Sequence, residues 1–143
     1  MPVNPILLSE DTLVRALLIV RGKYDFAVDA GAQSTIAITS GTPIPSGSVV
    51  LGGYVDVTTA CTSGGAATIA CQVEAANDIL TAVAVASWTT GRKNVLPAPT
   101  TGALTASTAV KTTAVRNISI VIAAADLTAG VFNVVLYIVP PLA

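Results

Sequence analysis

Short runs in which apolar residues alternate with small or polar residues recur along the chain, and this pattern constrains the fold most. Clear examples lie at residues 36–38, 55–57, 69–73, 83–85, 118–122 and 134–138. A period of two turns one side of each run toward a core, as in a half-buried β-strand. The runs are rich in β-branched residues, whose stiff side chains suit a pleated sheet. The pattern therefore predicts an all-β chain.

Turn signals separate these runs at short intervals. Gly, Pro, Ser and Thr cluster at residues 40–43, 45–47, 62–65, 89–91 and 128–130, and no long helical pattern intervenes. Short strands with regular turns are typical of a β-sandwich or barrel. The stretch at residues 97–108, which lacks charge and is rich in small residues, is predicted to be the longest loop.

Two segments allow more than one interpretation. Residues 9–21 have helical spacing at Leu13, Leu17 and Val20, but the run at 17–20 equally suits a strand buried on both faces, which we favour. Residues 75–86 could begin a helix at Asn77 or Asp78. Because Val83 and Val85 alternate with alanines, we predict a strand preceded by a turn at 76–78.

Charged residues are scarce. They make up 10% of the 143 residues, and seven basic side chains against eight acidic ones leave a net charge of −1. This balance argues against nucleic-acid binding. No apolar stretch, including residues 16–20 between Arg15 and Arg21, approaches the roughly 20 residues of a membrane span. The N-terminus has two acids and no basic region, so it is a poor secretion signal, and we expect synthesis in the cytosol.

The charge deficit also predicts self-association. From residue 30 to residue 73 the only charged side chain is Asp56, whereas a monomer in water normally carries a charged surface. The last strand is apolar on its second face as well, where Val135, Tyr137 and Val139 stand. A strand with one face in water should alternate apolar and polar residues, and this strand does not. We therefore expect a central strand whose second face contacts another subunit.

The side chains that usually carry catalysis or bind cofactors are few. There is no histidine, which excludes imidazole-based triads and the usual histidine-containing zinc and iron sites. Cys61 and Cys71 flank the turn of an apparent hairpin. One register places Cys61 opposite Ile69 and Cys71 opposite Thr59. In this register Cys61 and Cys71 are diagonal neighbours on one face. Such neighbours are too far apart for a disulfide, so two buried thiols are predicted.

The carboxylates are interpreted as structural. Asp25 and Asp29 share a face, but a calcium site needs six or more oxygens, so they are expected at a strand end and turn. Glu74 and Asp78 form a glycosidase-like pair by residue type alone, and a solvated face is the simpler interpretation. We predict no enzyme activity, no catalytic residue, no cofactor and no metal.

Two features near residue 90 have alternative interpretations. Arg92 and Lys93 form the only basic pair, either in a solvated loop or as a docking contact to carboxylates of a partner. Trp88, just before them, is expected to plug one end of the fold, and the alternative is an interface anchor.

Ordered short phrases resemble small β-rich virion proteins of tailed phages, described as head-decoration, cement or head-fibre proteins. The resemblance covers residues 23–139 and contains no catalytic motif. The phrases are KYDFAVDAGA (23–32), STIAI (34–38), IPSGSVV (44–50), GGYVDV (52–57), GGAATI (64–69), AANDI (75–79), TGRK (90–93) and ADLTAG (125–130).

The resemblance implies a jelly-roll-like antiparallel β-sandwich at residues 21–143 that forms a homotrimer on the outside of a capsid, bound to the major capsid protein. Residues 1–20 would be an N-terminal arm or docking segment. A head-fibre or tail-associated receptor- or carbohydrate-binding module is the alternative function. No nucleic-acid or membrane partner is expected. The residues expected at the oligomer interface are Val135, Tyr137 and Val139, and those expected to dock on the capsid are Pro2, Val3, Pro5, Ile6, Leu7, Leu8, Arg92 and Lys93.

Overall fold

The computed structural model describes residues 17–95 and 110–141, which consist mainly of β-strands and the loops between them. Their helical parts are one turn of α-helix, α1 (Phe26–Asp29), and one 3-10 turn, Val85–Ser87. The strands of the described residues are β1 (Leu18–Asp25), β2 (Ser34–Ala37), β3 (Val49–Ser63), β4 (Thr68–Gln72), β5 (Leu80–Ala84), β6 (Gly91–Val95), β7 (Val110–Lys111), β8 (Ser119–Ala123) and β9 (Leu127–Val139).

These strands form two antiparallel sheets. Sheet A has the order β1-β9-β3-β6, with β7 paired to the start of β3, and sheet B has the order β2-β8-β4-β5. The predicted all-β sandwich is therefore confirmed. In each sheet one face is apolar because the sequence alternates, and the two apolar faces pack on each other to form one core.

The core contains the residues that the alternating pattern marks as inward-facing. Phe132, Val134, Leu136 and Ile138 of β9 are fully buried. Sheet B faces them with Ile120 and Ile122 of β8, with Ile118 just before β8, and with Ile69 and Cys71 of β4. Strand β9 lies between β1 and β3, so its predicted central position is confirmed.

The two ambiguous segments resolve as strands within the described residues. Strand β1 begins at Leu18, so it includes three residues of the segment that the sequence assigned to the arm. Strand β5 begins at Leu80 after a turn in which Asn77 has a φ of 58°. The predicted long loop at 97–108 and the predicted arm before residue 17 lie outside the described residues.

The predicted hairpin around Gly64 and Gly65 is wrong. Strand β3 lies in sheet A and β4 in sheet B, so the residues between them cross from one sheet to the other. The end of β3 pairs with β9 instead, with Ser63 opposite Leu127. Both arrangements turn the apolar sides of β3 and β4 toward one core, which is why alternation alone does not distinguish them.

The long pairing of β3 with β9 requires glycine at position 53. A Cβ atom there would lie 2.0 Å from the carbonyl oxygen of Val135 and 2.9 Å from Cδ2 of Leu136. Just before it, the register shifts between Val50 and Gly52, which leaves Leu51 unpaired and 58% exposed. A bulge of this kind bends the strand and increases its twist.

We predict that Gly53→Ala lowers the free energy of unfolding by about 1–3 kcal/mol or more, because the added methyl group forces β3 and β9 apart. The matched control is Gly64→Ala, since a Cβ at Gly64 meets no atom within 4 Å. The control should change stability by less than about 0.5 kcal/mol. Denaturant unfolding followed by circular dichroism measures both, and equal midpoints for the two variants would contradict the prediction.

Candidate interaction surface

The outer face of sheet A is the candidate interaction surface. Its central row runs across the sheet from Arg21 through Val135 to Tyr54, and the next row runs from Lys23 through Asn133 and Asp56 to Arg92. On the other side of the central row lie Ile19 and Tyr137. The face therefore has an apolar part and a charged part, with Val135 between them.

Val135 is buried without belonging to the core between the sheets. Its side chain is 4% exposed, but its position on β9 places it on the face away from the core. Arg21 and Tyr54 flank it on the neighbouring strands. Long side chains that lie along an apolar surface cover it while their polar ends stay in water.

A shallow depression of about 210 Å³ opens above Val135. Its lining residues are Arg21, Tyr54, Asp56, Asn133 and Val135. The guanidinium carbon of Arg92 lies 4.7 Å from the centre of the Tyr54 ring, within the range of a cation–π interaction. Tyr54 in turn lies 6.4 Å from Tyr137, measured between ring centres. These contacts order the large side chains around the depression.

The apolar part of the face extends to the start of β1. Leu17 is 45% exposed and Ile19 is 48% exposed, and Ile19 pairs with the half-buried Tyr137. Val139 lies beyond Tyr137 on β9 and pairs with Val49 of β3. Exposed aliphatic and aromatic groups that adjoin one another mark surfaces on which another protein packs.

The structure brings the three residues predicted for the oligomer interface onto this one face. Sequence reasoning missed Ile19, Arg21 and Tyr54, which lie on the neighbouring strands. A signal for Ile19 was present, because the run at 17–20 is apolar at successive positions. Tyr54 and Arg21 become neighbours only through the pairing register with β9.

The basic pair has a different setting from the predicted loop. Arg92 and Lys93 lie in the edge strand β6, so the interpretation as a solvated loop is wrong. Arg92 packs on Tyr54 at the candidate surface, while Nζ of Lys93 donates to Oγ1 of Thr89 at 3.3 Å. The other predicted docking residues, Pro2 to Leu8, lie outside the described residues.

Trp88 and the two cysteines are structural. Trp88 is 4% exposed and packs on Phe132 with 4.8 Å between ring centres, which confirms the predicted plug. Cys61 and Cys71 are buried free thiols, as predicted. Burial raises the pKa of Cys61 to about 11 and that of Cys71 to about 12, so both stay protonated at neutral pH.

The carboxylates singled out in the sequence hold loops in place. Oδ1 of Asp25 accepts from the backbone N–H of Ala27 and caps α1, and Oδ2 of Asp29 accepts from the N–H of Asp25. These contacts confirm the strand-end interpretation. The carboxylate of Asp78 accepts from the backbone N–H groups of Val73, Glu74 and Ala75.

Glu74 forms an ion pair with Arg116. Two hydrogen bonds join the guanidinium to the carboxylate, from Nε at 2.9 Å and Nη2 at 3.1 Å. The hydroxyl and backbone N–H of Thr113 donate to the same carboxylate. These donors, Arg116 first, lower the pKa of Glu74 from its ordinary 4.5 to about 2. Glu74 is thus an ion-paired carboxylate rather than the solvated one expected from the sequence.

Residues 17–95 and 110–141 contain no cluster of three or more His, Cys, Asp or Glu side chains placed to hold a metal ion. None of their helices is long and apolar enough to cross a membrane.

Comparisons with known proteins identify a class of fold. No protein-family model and no curated protein matches the sequence. A chain of the cyanophage Pam1 capsid asymmetric unit is similar with a TM-score of 0.57 and 17% identity, over 87% of this chain and 85% of that chain. A chain of the acidic stable capsid of Helicobacter pylori bacteriophage KHP30 is similar with a TM-score of 0.55 and 11% identity, over 86% of each chain.

At these identities the similarity shows the fold. The protein has a β-sandwich fold that is also found in chains of two phage capsids.

The Glu74–Arg116 ion pair predicts how stability depends on pH. Because the folded-state pKa is lowered, the ion pair stabilises the protein above the ordinary pKa of 4.5, and this contribution disappears as the pH falls toward 2. Glu74→Gln should therefore destabilise the protein at pH 7 and have little effect near pH 2.

Denaturant unfolding of the wild type and the variant at several pH values measures this difference. Asp126→Asn is the control, because it removes the same charge while its side-chain oxygen can still accept from the N–H of Gln33. A destabilisation by Glu74→Gln that stays constant from pH 7 to pH 2 would count against the ion pair.

Proposed function

We propose that the protein is a structural protein of a phage virion that decorates the outside of the capsid shell and stabilises it. The observation that carries the proposal is the similarity of fold, over nearly the whole chain, to chains of two phage capsid structures. Under this proposal the protein is not an enzyme, and its partner is the major capsid protein.

Chain length supports the decoration role. The covered fractions are nearly equal for both chains in each comparison, so the matched capsid chains are about as long as this one. A chain of 143 residues has room for one small domain. Chains of this length and fold therefore occur in phage capsids, as the decoration role requires.

The strand order supports the jelly-roll-like part of the prediction. The chain passes repeatedly from one sheet to the other, and the two orders, β1-β9-β3-β6 and β2-β8-β4-β5, interleave. Two interleaved Greek keys in two sheets are the arrangement of a jelly roll.

The outer face of sheet A supports self-association, which the proposed homotrimer requires. It joins the exposed Leu17 and Ile19 to Tyr137 and Val139 in one apolar area. Its charged part carries both signs, with Arg21 on β1 and the cross-strand neighbours Asp56 and Arg92 on β3 and β6. A second copy offers the same mixture, so a copy-to-copy contact pairs apolar with apolar groups and opposite charges at the rim.

Binding to shells tests the proposed function. We expect the purified chain to cosediment with capsid shells of the phage that encodes it, once those shells have been stripped of this chain. We also expect it to raise the temperature at which the shells disrupt, because a ligand that binds the assembled state stabilises that state. Unassembled capsid subunits are the control. Absence of binding to shells, or equal binding to free subunits, would contradict the proposal.

Charge insertion tests the trimer. Ile19→Lys and Tyr137→Lys should convert the trimer to a monomer at micromolar concentration, since each places a charge in the apolar contact. Val28→Lys is the matched control, because Val28 is 81% exposed on α1, away from this face. Light scattering measures the mass of each variant. A wild type that is already a monomer, or a Val28→Lys variant that also dissociates, would contradict the assigned interface.

The depression above Val135 favours one second candidate, the recognition of a sugar. Tyr54 and Tyr137 offer aromatic rings, and Asp56 and Asn133 offer hydrogen-bonding groups beside them. In this case the face stays open to solvent and is not an interface. Glycan binding by a folded monomer that is lost in Asn133→Ala would favour this candidate over the cement role.

A further inference from the structure

We propose that the protein docks on the capsid shell through one particular end of the sandwich. This end carries a loop platform, which we define as residues 44–48, 73–79 and 112–117. The inference rests on the proposed capsid function, and it names the surface that meets the shell.

Backbone pairing brings the three loops of the platform together. Ile44 and Arg116 exchange two backbone hydrogen bonds, of 2.7 Å and 3.0 Å. Gly47 N–H donates to the carbonyl of Thr112 at 2.7 Å, and Thr112 N–H donates to the carbonyl of Ser48 at 2.9 Å. The Glu74–Arg116 ion pair adds the third loop. A surface already ordered in the free protein loses little conformational entropy on binding.

Side-chain hydrogen bonds brace the same loops. Oγ1 of Thr112 donates to the carbonyl of Pro45 at 2.7 Å, and Oγ of Ser46 donates to the carbonyl of Thr113 at 3.0 Å. Thr112 is 1% exposed, so its hydroxyl makes this hydrogen bond from a buried position beneath the loops. These bonds hold the loop from 112 to 117 in a fixed position.

The charges of the platform are satisfied internally. Glu74 pairs with Arg116, and Asp78 accepts three backbone N–H groups of its own loop. Meanwhile Val115, at the tip of its loop, is 66% exposed. A rigid surface whose charges are already compensated, with a projecting aliphatic group, suits an uncharged apolar patch on the partner better than a charged one.

The course of the chain favours this end over the opposite one. Leu18 pairs with Ile138, and Val50 pairs with both Ile138 and Val110, so β1 starts and β7 lies at the platform end of sheet A. Residues 1–16 therefore join the described chain here. They include the apolar residues Pro2, Ile6, Leu7 and Leu8, which are predicted to dock on the capsid. The opposite end carries α1 and residues 64–67.

Two exposed valines make a matched test. Val115→Asp adds a charge at the platform, and Val28→Asp adds the same charge at the opposite end, where Val28 is 81% exposed. Neither side chain is in the core, so both variants should fold, and thermal unfolding checks this. Each is mixed with shells stripped of the wild-type chain, and cosedimentation measures the apparent affinity.

We expect Val115→Asp to weaken shell binding at least tenfold and Val28→Asp to leave it unchanged. Weakening by Val28→Asp alone would place the opposite end on the shell and overturn the inference. Equal effects of both variants, or no effect of either, would also overturn it. If the wild type itself fails to bind shells, the proposed function fails, and that outcome is distinguishable because it needs no variant.

Discussion

The structure depends on strand β9, because it is apolar on both faces. Its inner residues, Phe132, Val134, Leu136 and Ile138, are fully buried between the sheets. Its outer face carries Val135 and Tyr137, which lie under or beside Arg21 and Tyr54 of the neighbouring strands. Burying an aliphatic side chain contributes roughly 1.5–3 kcal/mol. A single strand thus organises the core on one side and the candidate interaction surface on the other.

Strand β9 can contribute to both the core and the candidate interaction surface because β3 pairs closely with it. The two strands pair from Val49 opposite Val139 to Ser63 opposite Leu127. Gly53 lets the backbones approach where a Cβ would collide with the Val135 carbonyl. The bulge at Leu51 then adjusts the twist at the platform end. The long ladder therefore connects the end that we assign to the shell with the face that we assign to neighbouring copies.

Local patterns predicted the strands but not all of their partners. Alternation located the inward residues of β8 and β9, because burial of one face acts on every second residue. It failed at β3 and β4, because a Gly-Gly turn serves a hairpin and a crossing between sheets equally well. The choice is decided by a partner 60 to 80 residues away, since Val57 pairs with Phe132 and Ser63 with Leu127.

The same reasoning explains which site residues were found. Val135, Tyr137 and Val139 stand out within one short run, because polar residues are missing where alternation demands them. Ile19, Arg21 and Tyr54 join them only through register with β9. Glu74 resembled a free carboxylate because its partner, Arg116, is 42 positions away along the chain. Contacts that join distant segments carry no local signature, and the candidate surface consists largely of such contacts.

A weak platform is sufficient if the protein acts as a trimer. In the proposed arrangement the outer faces of sheet A hold three copies together, and three platforms point the same way. Once one platform binds, the others meet their sites at a high effective concentration, so the total affinity exceeds that of a single contact by orders of magnitude. A free capsid subunit offers one site and gains no such advantage. Selectivity for the assembled shell then needs no large charged interface, which agrees with a chain that has only fifteen charged residues.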